Sequence, residues 1–332
     1  MTCLLGGRKE RRKSMANTFD ASTTRRGFIL GGIAAGAAAQ PLFTKAEGDF
    51  DDSLTLLLAD IHIKGGDRKW YSEDLFRTLV ADVLKLRPLP RRCLVLGDIA
   101  YVRGKAKDYD LAAPLLKLIE DAGIELVLGM GNHDRRETFF EKFPKYAETT
   151  KVPGRVVSEV KLDDVDVLML DSLRAPDEGK GVVPGEVGGG QIEWLEAYLK
   201  DRTRPVILCA HHNPYELKLV DMLEGHECVA GYVYGHHHHW ATSWTRQNTE
   251  KRAVRMCCLP SASLWGDIGY ALLRTSPRRA RIRLVQRDYV TRDFRDNPVV
   301  RPPERSAQIA ALLEDRSRGL MCSFALDGKE AS

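Results

Sequence analysis

No apolar run in this sequence is long enough to cross a bilayer. The longest, Phe28 to Ala39, is twelve residues and broken by glycines, whereas a helical span needs about 20. A permanent membrane span is therefore not expected of the mature chain. There are seven cysteines, but none has the paired spacing of a metal knuckle. Cys93, Cys209, Cys257 and Cys258 lie in apolar strand-like runs, which reads as buried, inert thiols. Gly179 to Gly190 holds six glycines and one proline. No lysine followed by Ser or Thr opens the helix after it, so a nucleoside-triphosphate loop is disfavoured and a mobile loop is expected. Internal repeats are absent, and so is low complexity beyond the leader.

The net charge of +4 is misleading until it is divided along the chain. Residues 1 to 46 carry eight Lys/Arg and two acids, which leaves 42 basic and 44 acidic residues in 47 to 332. The part that folds is slightly acidic and has no basic, aromatic-studded stripe, so nucleic acid is not a favoured partner. In the leader, Arg25-Arg26 stands directly before the apolar run from Phe28 and resembles a twin-arginine export signal. Cleavage after Ala39 or Ala46 and a true start at Met15 are both compatible with it. The expected consequence is a mature protein exported, already folded, by the twin-arginine machinery to the periplasm.

From Ser53 onward, short apolar runs alternate with amphipathic stretches. Leu54 to Ala59, Cys93 to Leu96, Glu125 to Leu128, Val165 to Leu170, Val206 to Ala210 and Val229 to Tyr234 read as buried strands. Glu73 to Leu86, Tyr109 to Ala122 and Gln191 to Lys200 have helical spacing. Ala253 to Leu259, Tyr270 to Thr275 and Ala280 to Gln286 then follow as strands with little helix between them. The class is α/β, with a second sheet packed on the first and helices outside. The expected organisation is a leader over 1–46, a catalytic domain over 47–290, and a tail over 291–332 with a short helix from Ser306 to Leu313.

What is abundant is Asp, Asn and His at strand ends. The first strand closes Asp60-Ile61-His62; residues two apart at a strand end share a side, so these two can share one cation. The next closes Gly97-Asp98, where the glycine permits a sharp turn and the carboxylate can bridge two cations. Gly131-Asn132-His133-Asp134 offers an amide oxygen beside an imidazole. His211-His212-Asn213-Pro214 and Gly235-His236-His237-His238 add imidazoles. Mixed oxygen and imidazole ligands without thiolate suit Mn, Fe or Zn better than Mg or Ca. The choice between His211 and His212 stays open, with His211 favoured because it ends the strand directly and His212 left to face substrate.

The order DxH, GD, GNHD, HH before a proline, and GHxH resembles the calcineurin-like metallophosphoesterase family over residues 54 to about 290, and within it the bacterial cyclic-nucleotide and glycerophosphodiester branch. That resemblance implies a four-layer α/β/β/α sandwich of two mixed sheets. It implies two metal ions: one on Asp60, His62, Asp98 and His238, the other on Asp98, Asn132, His211 and His236. It also implies His133 as the proton donor to the leaving group, oriented by Asp134. His237 and His239 receive no role. Gly97-Asp98-Ile99-Ala100-Tyr101 also resembles the GDxxY of purple acid phosphatases, whose tyrosine binds ferric iron. Those enzymes lack the histidine that this chain keeps as His62, so Tyr101 is expected not to be a ligand.

The implied chemistry is attack of a metal-bridging hydroxide on a small phosphodiester. A phosphomonoesterase or nuclease is the alternative within the class, and an inactive exported binding protein the alternative outside it. Tyr215, Trp240 and Trp265, on loops after the ligand strands, are the candidate specificity residues.

Overall fold

The computed structural model describes residues 49–66, 70–174, 184–245, 252–290 and 321–328. The leader, the center of the glycine-rich stretch and the Ser306–Leu313 helix expected from sequence lie outside them. In chain order the strands are β1 (Phe50–Leu58), β2 (Leu89–Val95), β3 (Glu125–Leu128), β4 (Ser158–Lys161), β5 (Asp166–Met169), β6 (Val206–Cys209), β7 (Val229–Tyr234), β8 (Ala241–Trp244), β9 (Arg255–Cys258), β10 (Gly266–Ser276), β11 (Arg279–Val290) and β12 (Met321–Ala325). The helices are α1 (Tyr71–Val83), α2 (Ala106–Asp121), α3 (Arg136–Lys142), α4 (Lys145–Thr149), α5 (Gly189–Leu199) and α6 (Val220–Gly225).

Two six-stranded sheets result, ordered β12-β11-β10-β1-β2-β3 and β4-β5-β6-β7-β9-β8. Both are mixed. In the first, β1, β2 and β3 run parallel while β10, β11 and β12 are antiparallel. In the second, β5, β6, β7 and β9 run parallel between antiparallel β4 and β8. The parallel strands turn apolar and buried toward their C-terminal ends, where both of their faces are covered. Along β1 the faces alternate: Leu56 and Leu58 pack with Phe76, Leu79 and Ile119 under α1 and α2. Leu57 and Ala59 instead join Val167, Ile207 and Val233 of the other sheet. On the far side, Leu208 and Tyr232 pack with Leu195 and Leu199 of α5. Helices, sheet, sheet, helices is the four-layer sandwich that the motif resemblance implies.

The tail differs from expectation. Met321–Ala325 lies beyond the boundary placed at 290, yet it pairs with β11 as the edge of the first sheet, with Phe324 buried between the sheets. Five residues with a single large apolar anchor leave too little periodicity to be read as a strand. The short edge strands β4 and β8 went unread for the same reason.

Candidate metal centre

Every strand that carries a motif has a parallel neighbour in its sheet, and all the motifs follow the C-terminal ends of their strands, where α/β sheets place ligands. Past β1 the chain stays bound to the loop after β2: Asp60 N–H donates to Gly97 O at 3.2 Å, and His62 N–H to Asp98 O at 2.8 Å. The same-side placement of Asp60 and His62 does not come from strand alternation. Both residues are left-handed, at φ 56° and 49°, and so are Asp98 (52°), His236 (69°) and His238 (57°). Left-handed backbone is uncommon outside glycine, and each such residue costs about 1–2 kcal/mol. Its concentration in five of the seven expected ligands marks a constrained site.

Three buried hydroxyls hold that constraint. Ser261 Oγ donates to Asp60 O at 2.9 Å, Ser72 Oγ to His62 O at 2.9 Å, and Ser263 Oγ to Ile61 O. Three successive carbonyls of the first ligand loop are thus each satisfied by a hydroxyl. These serines were not singled out from sequence, and only the small-residue run Ser261-Ala262-Ser263 after β9 hints at them. Glycine has one specific duty here: a Cβ on Gly131 would fall inside contact distance of Asp98 Oδ1, so the third motif must open with glycine to lie against the carboxylate of the second.

The side chains converge in two overlapping sets. In the first, His238 Nε2 is 3.3 Å and His62 Nε2 3.8 Å from Asp60 Oδ1, while His62 Nε2 is 3.5 Å from Asp98 Oδ2. In the second, His211 Nε2 is 3.1 Å from Asp98 Oδ2 and 3.2 Å from Asn132 Oδ1. The His236 ring stands edge-on to His211 at 5.1 Å, and the backbone N–H of His236 donates to Asp60 Oδ2 at 3.0 Å. Asp98 belongs to both sets. Both carboxylates are fully buried, at 0 % and 1 % exposure.

Whether cations fit is decided by the imidazoles. His62 Nδ1 is 3.1 Å from Tyr101 O, His238 Nδ1 3.0 Å from Trp265 O, and His211 Nδ1 2.8 Å from Leu96 O. A carbonyl accepts only, so in neutral rings the proton sits on each Nδ1 and the lone pair on each Nε2. The Nε2 atoms of His62 and His238 then face each other at 3.1 Å as two acceptors. A hydrogen bond between them is impossible with those tautomers; a shared cation makes the arrangement favourable. The backbone contacts are the outer support that metal-bound histidines require.

The electrostatics agree. Burial works against charge on His211, but Asp98 and Asp60 overcome it and raise its pKa to about 9. Burial likewise opposes ionisation of Asp60 and Asp98, yet neighbouring histidines hold both below the usual carboxylate range. The pocket draws positive charge. His236 and His133 are brought down by burial to about 4, so they are neutral at pH 7.

His133 stands at the rim, 30 % exposed, with Nε2 4.0 Å from Asp98 Oδ2. The backbone N–H of His133 donates to Asp98 Oδ1 at 2.8 Å. Asp134 does not orient it. The Asp134 carboxylate accepts from Ile99 N, Ala100 N, Gly131 N and Tyr109 Oη, which binds the second and third motif loops together. His133 Nδ1 is buried without a hydrogen-bond partner among the described residues. The aspartate follows the histidine in sequence, but the turn sends its side chain beneath the loop.

His212 does not face a substrate either: it is fully buried with Nδ1 2.8 Å from Ser172 Oγ and its ring 4.7 Å from that of His236, while His211 is the one whose Nε2 meets Asp98 and Asn132. The Tyr101 ring packs edge-on to Trp70 at 5.6 Å, and its carbonyl, not its phenol, touches His62. Trp265 stacks on His238 at 4.0 Å and 13°, supporting a ligand ring. Trp240 packs against the inter-sheet core. Of the three aromatics proposed for specificity only Tyr215 is open, 50 % exposed after His211.

Residues 54–240, more than half of the chain, match the family model described as calcineurin-like phosphoesterase. A probable cyclic nucleotide phosphodiesterase of Rhodopseudomonas palustris is 29 % identical over 173 residues, which are 49 % of this chain and 58 % of that one. A cAMP/cGMP dual specificity phosphodiesterase of Mycobacterium tuberculosis is 25 % identical over 185 residues, 53 % of this chain and 54 % of that one. The chain thus spans a little over half the length of these relatives. In three dimensions it is similar to a dimetal phosphatase of Danio rerio, with a TM-score of 0.54, 15 % identity, and coverage of 73 % of this chain and 98 % of that one. That likeness concerns the fold.

Proposed function

The chain belongs to the calcineurin-like phosphoesterase family, and from that premise we propose that it hydrolyses small phosphodiesters, cyclic nucleotides first, at a centre of two cations. Asp60, His62, Asp98 and His238 would hold one, and Asp98, Asn132, His211 and His236 the other. Mn, Fe or Zn suits this donor set. The observation that carries the reading is the pair of Nε2 atoms 3.1 Å apart beside two buried carboxylates, each ring turning its Nδ1 to a backbone carbonyl. The names of the two bacterial relatives favour cyclic nucleotides, and Tyr215 is the exposed aromatic available to a base. The leader's paired arginines support export by the twin-arginine machinery to the periplasm.

Two cations in such a site supply Lewis-acid neutralisation of the phosphoryl oxygens and acidify water into a nucleophile. The chain's own residues do the rest. Asp98 fixes the separation of the two sets. The serine hydroxyls keep Asp60 and His62 in their left-handed conformations, so the ligands need no rearrangement when substrate arrives. His133, at the open rim, protonates the departing oxygen. Burial keeps it neutral in the free protein, and an arriving phosphate anion favours its protonated form.

His133→Ala is expected to lose about 100 to 10,000-fold in turnover on an alkyl diester, and much less on bis-p-nitrophenyl phosphate, whose leaving group needs no proton. Metal content should not change. Equal losses on both substrates would remove His133 from the role of acid.

The activity itself is tested by stripping the full chain with a chelator, restoring Mn, Fe or Zn, and offering cyclic nucleotides, glycerophosphodiesters, phosphomonoesters and single-stranded DNA side by side. Diester hydrolysis that disappears on chelation and returns with metal is expected, with cyclic nucleotides turned over fastest. Undiminished hydrolysis after chelation, or two bound metals with no diester turned over, would overturn the reading.

A further inference from the structure

The run Gly235 to His239 divides its imidazoles. His236 and His238, both left-handed, belong to the carboxylate cluster. His237 and His239 turn to each other, their rings parallel at 13° with centroids 5.7 Å apart. Next to them is Cys258, the last residue of β9 and fully buried. One ligand atom from each of His237, His239 and Cys258 lies within 4.8 Å of the other two.

Three further observations give this trio the chemistry of a ligand set. His239 Nδ1 is 2.9 Å from His237 O; donating to that carbonyl keeps the proton on Nδ1 and leaves the Nε2 lone pair outward, the tautomer a metal uses. Burial raises the pKa of the Cys258 thiol, and the backbone N–H groups of His237 and His239, which face the sulfur, work against that rise. A neutral thiol is a weak acceptor that gains little from two such donors, while a thiolate gains much. Finally, Glu216 Oε1 is 3.5 Å from His237 Nε2, which brings negative charge to the same side.

We propose that His237, His239 and Cys258 form a third metal site, separate from the dinuclear centre, for a thiophilic cation of the zinc class. Two imidazoles and one thiolate are a borderline-soft set that favours zinc over the hard cations. Zinc–nitrogen bonds of about 2.0–2.1 Å and a zinc–sulfur bond of about 2.3 Å require the ligand atoms to close by roughly 1 Å. The exposed His239 can make that movement about the fixed sulfur. As the sulfur–metal bond forms, the Cys258 thiol proton leaves to solvent. The fourth position opens to water. Because His236 and His238 sit on the same five-residue loop, a cation here would brace the backbone that presents both to the dinuclear centre.

The ligands of the dinuclear centre are all nitrogen and oxygen, which gives the third site its own signature. The full chain is stripped with a chelator and titrated with Co²⁺ as the zinc stand-in, following the near-ultraviolet charge-transfer band that only a thiolate ligand produces. A band that saturates at one cobalt per chain is expected. Cys258→Ala and His239→Ala should each lose it and bind one cobalt fewer, and Cys257→Ala, altering the adjacent buried thiol, should keep it. His239 is exposed, so its variant reports even if the Cys258 variant fails to fold. No band in the native chain at saturating cobalt, or a band that survives either Cys258→Ala or His239→Ala, would overturn the site. The band does not depend on hydrolysis, so an inactive chain that still shows it would count against the phosphodiesterase reading and leave this site standing.

Discussion

Replacing Asp98 with alanine is expected to abolish phosphodiester hydrolysis and to leave a dinuclear centre that holds at most one cation. The Asp98 carboxylate stands between the two proposed ligand sets, with Oδ2 3.1 Å from His211 Nε2 and 3.5 Å from His62 Nε2. Without it, each set loses a ligand and the cluster loses one of its two buried charges. The lost charge stabilisation amounts to several kcal/mol; at about 1.4 kcal/mol per tenfold, that is a drop of roughly a thousandfold or more. Turnover of bis-p-nitrophenyl phosphate, measured together with metal per chain by elemental analysis, checks both halves of the claim. Asp98→Asn keeps the shape and one oxygen but not the charge. It should fall nearly as far, because the charge is what balances two cations. An Asp98→Ala protein with full metal content and normal turnover would refute the shared-carboxylate arrangement.

Much of this centre was legible because its ligands are polar residues at the ends of otherwise apolar strands. A run such as Val206 to Cys209 has no reason to end in His211 unless something there requires an imidazole. The sandwich was legible from the same runs, since only strands covered on both faces are apolar throughout. What stayed hidden depends on contacts across the chain. The left-handed backbone at Asp60 and His62 is stabilised partly by Ser261 and Ser263, some 200 residues downstream, and a hydroxyl on a distant loop leaves no local pattern. His211 Nε2 meets Asp98 and Asn132 while His212 Nδ1 turns to Ser172, which adjacent positions in sequence cannot show. Cys258 reads as an inert core thiol along its strand, and its proximity to His237 and His239 exists only once β9 lies beside β7. β12 was missed because a short edge strand needs only one anchored residue, Phe324.

The same distinction between neighbours in sequence and partners in space sets the second large effect, at Asp134. Its carboxylate is completely buried and accepts from Gly131 N at 2.9 Å, Ala100 N at 3.0 Å, Ile99 N at 3.2 Å and Tyr109 Oη at 2.9 Å. Asp134→Ala would strand three backbone donors and a phenol in an interior that water does not reach. At about 1–3 kcal/mol for each unsatisfied group, and with partial relaxation, a loss of about 4 kcal/mol is expected. For a chain of this size that corresponds to a fall in Tm of about 10 °C. Asp134→Asn keeps one acceptor oxygen but turns an NH₂ toward a donor, so an intermediate fall is expected. Thermal unfolding of the two variants beside the native chain measures this, and turnover at a temperature where all three are folded separates the roles. A residue that orients His133 would lower kcat in both variants while leaving Tm nearly unchanged. A residue that binds the loops after β2 and β3 together lowers Tm in the order Ala below Asn below Asp. It affects turnover only as far as Asp98 and Asn132, the proposed ligands on those two loops, shift with them.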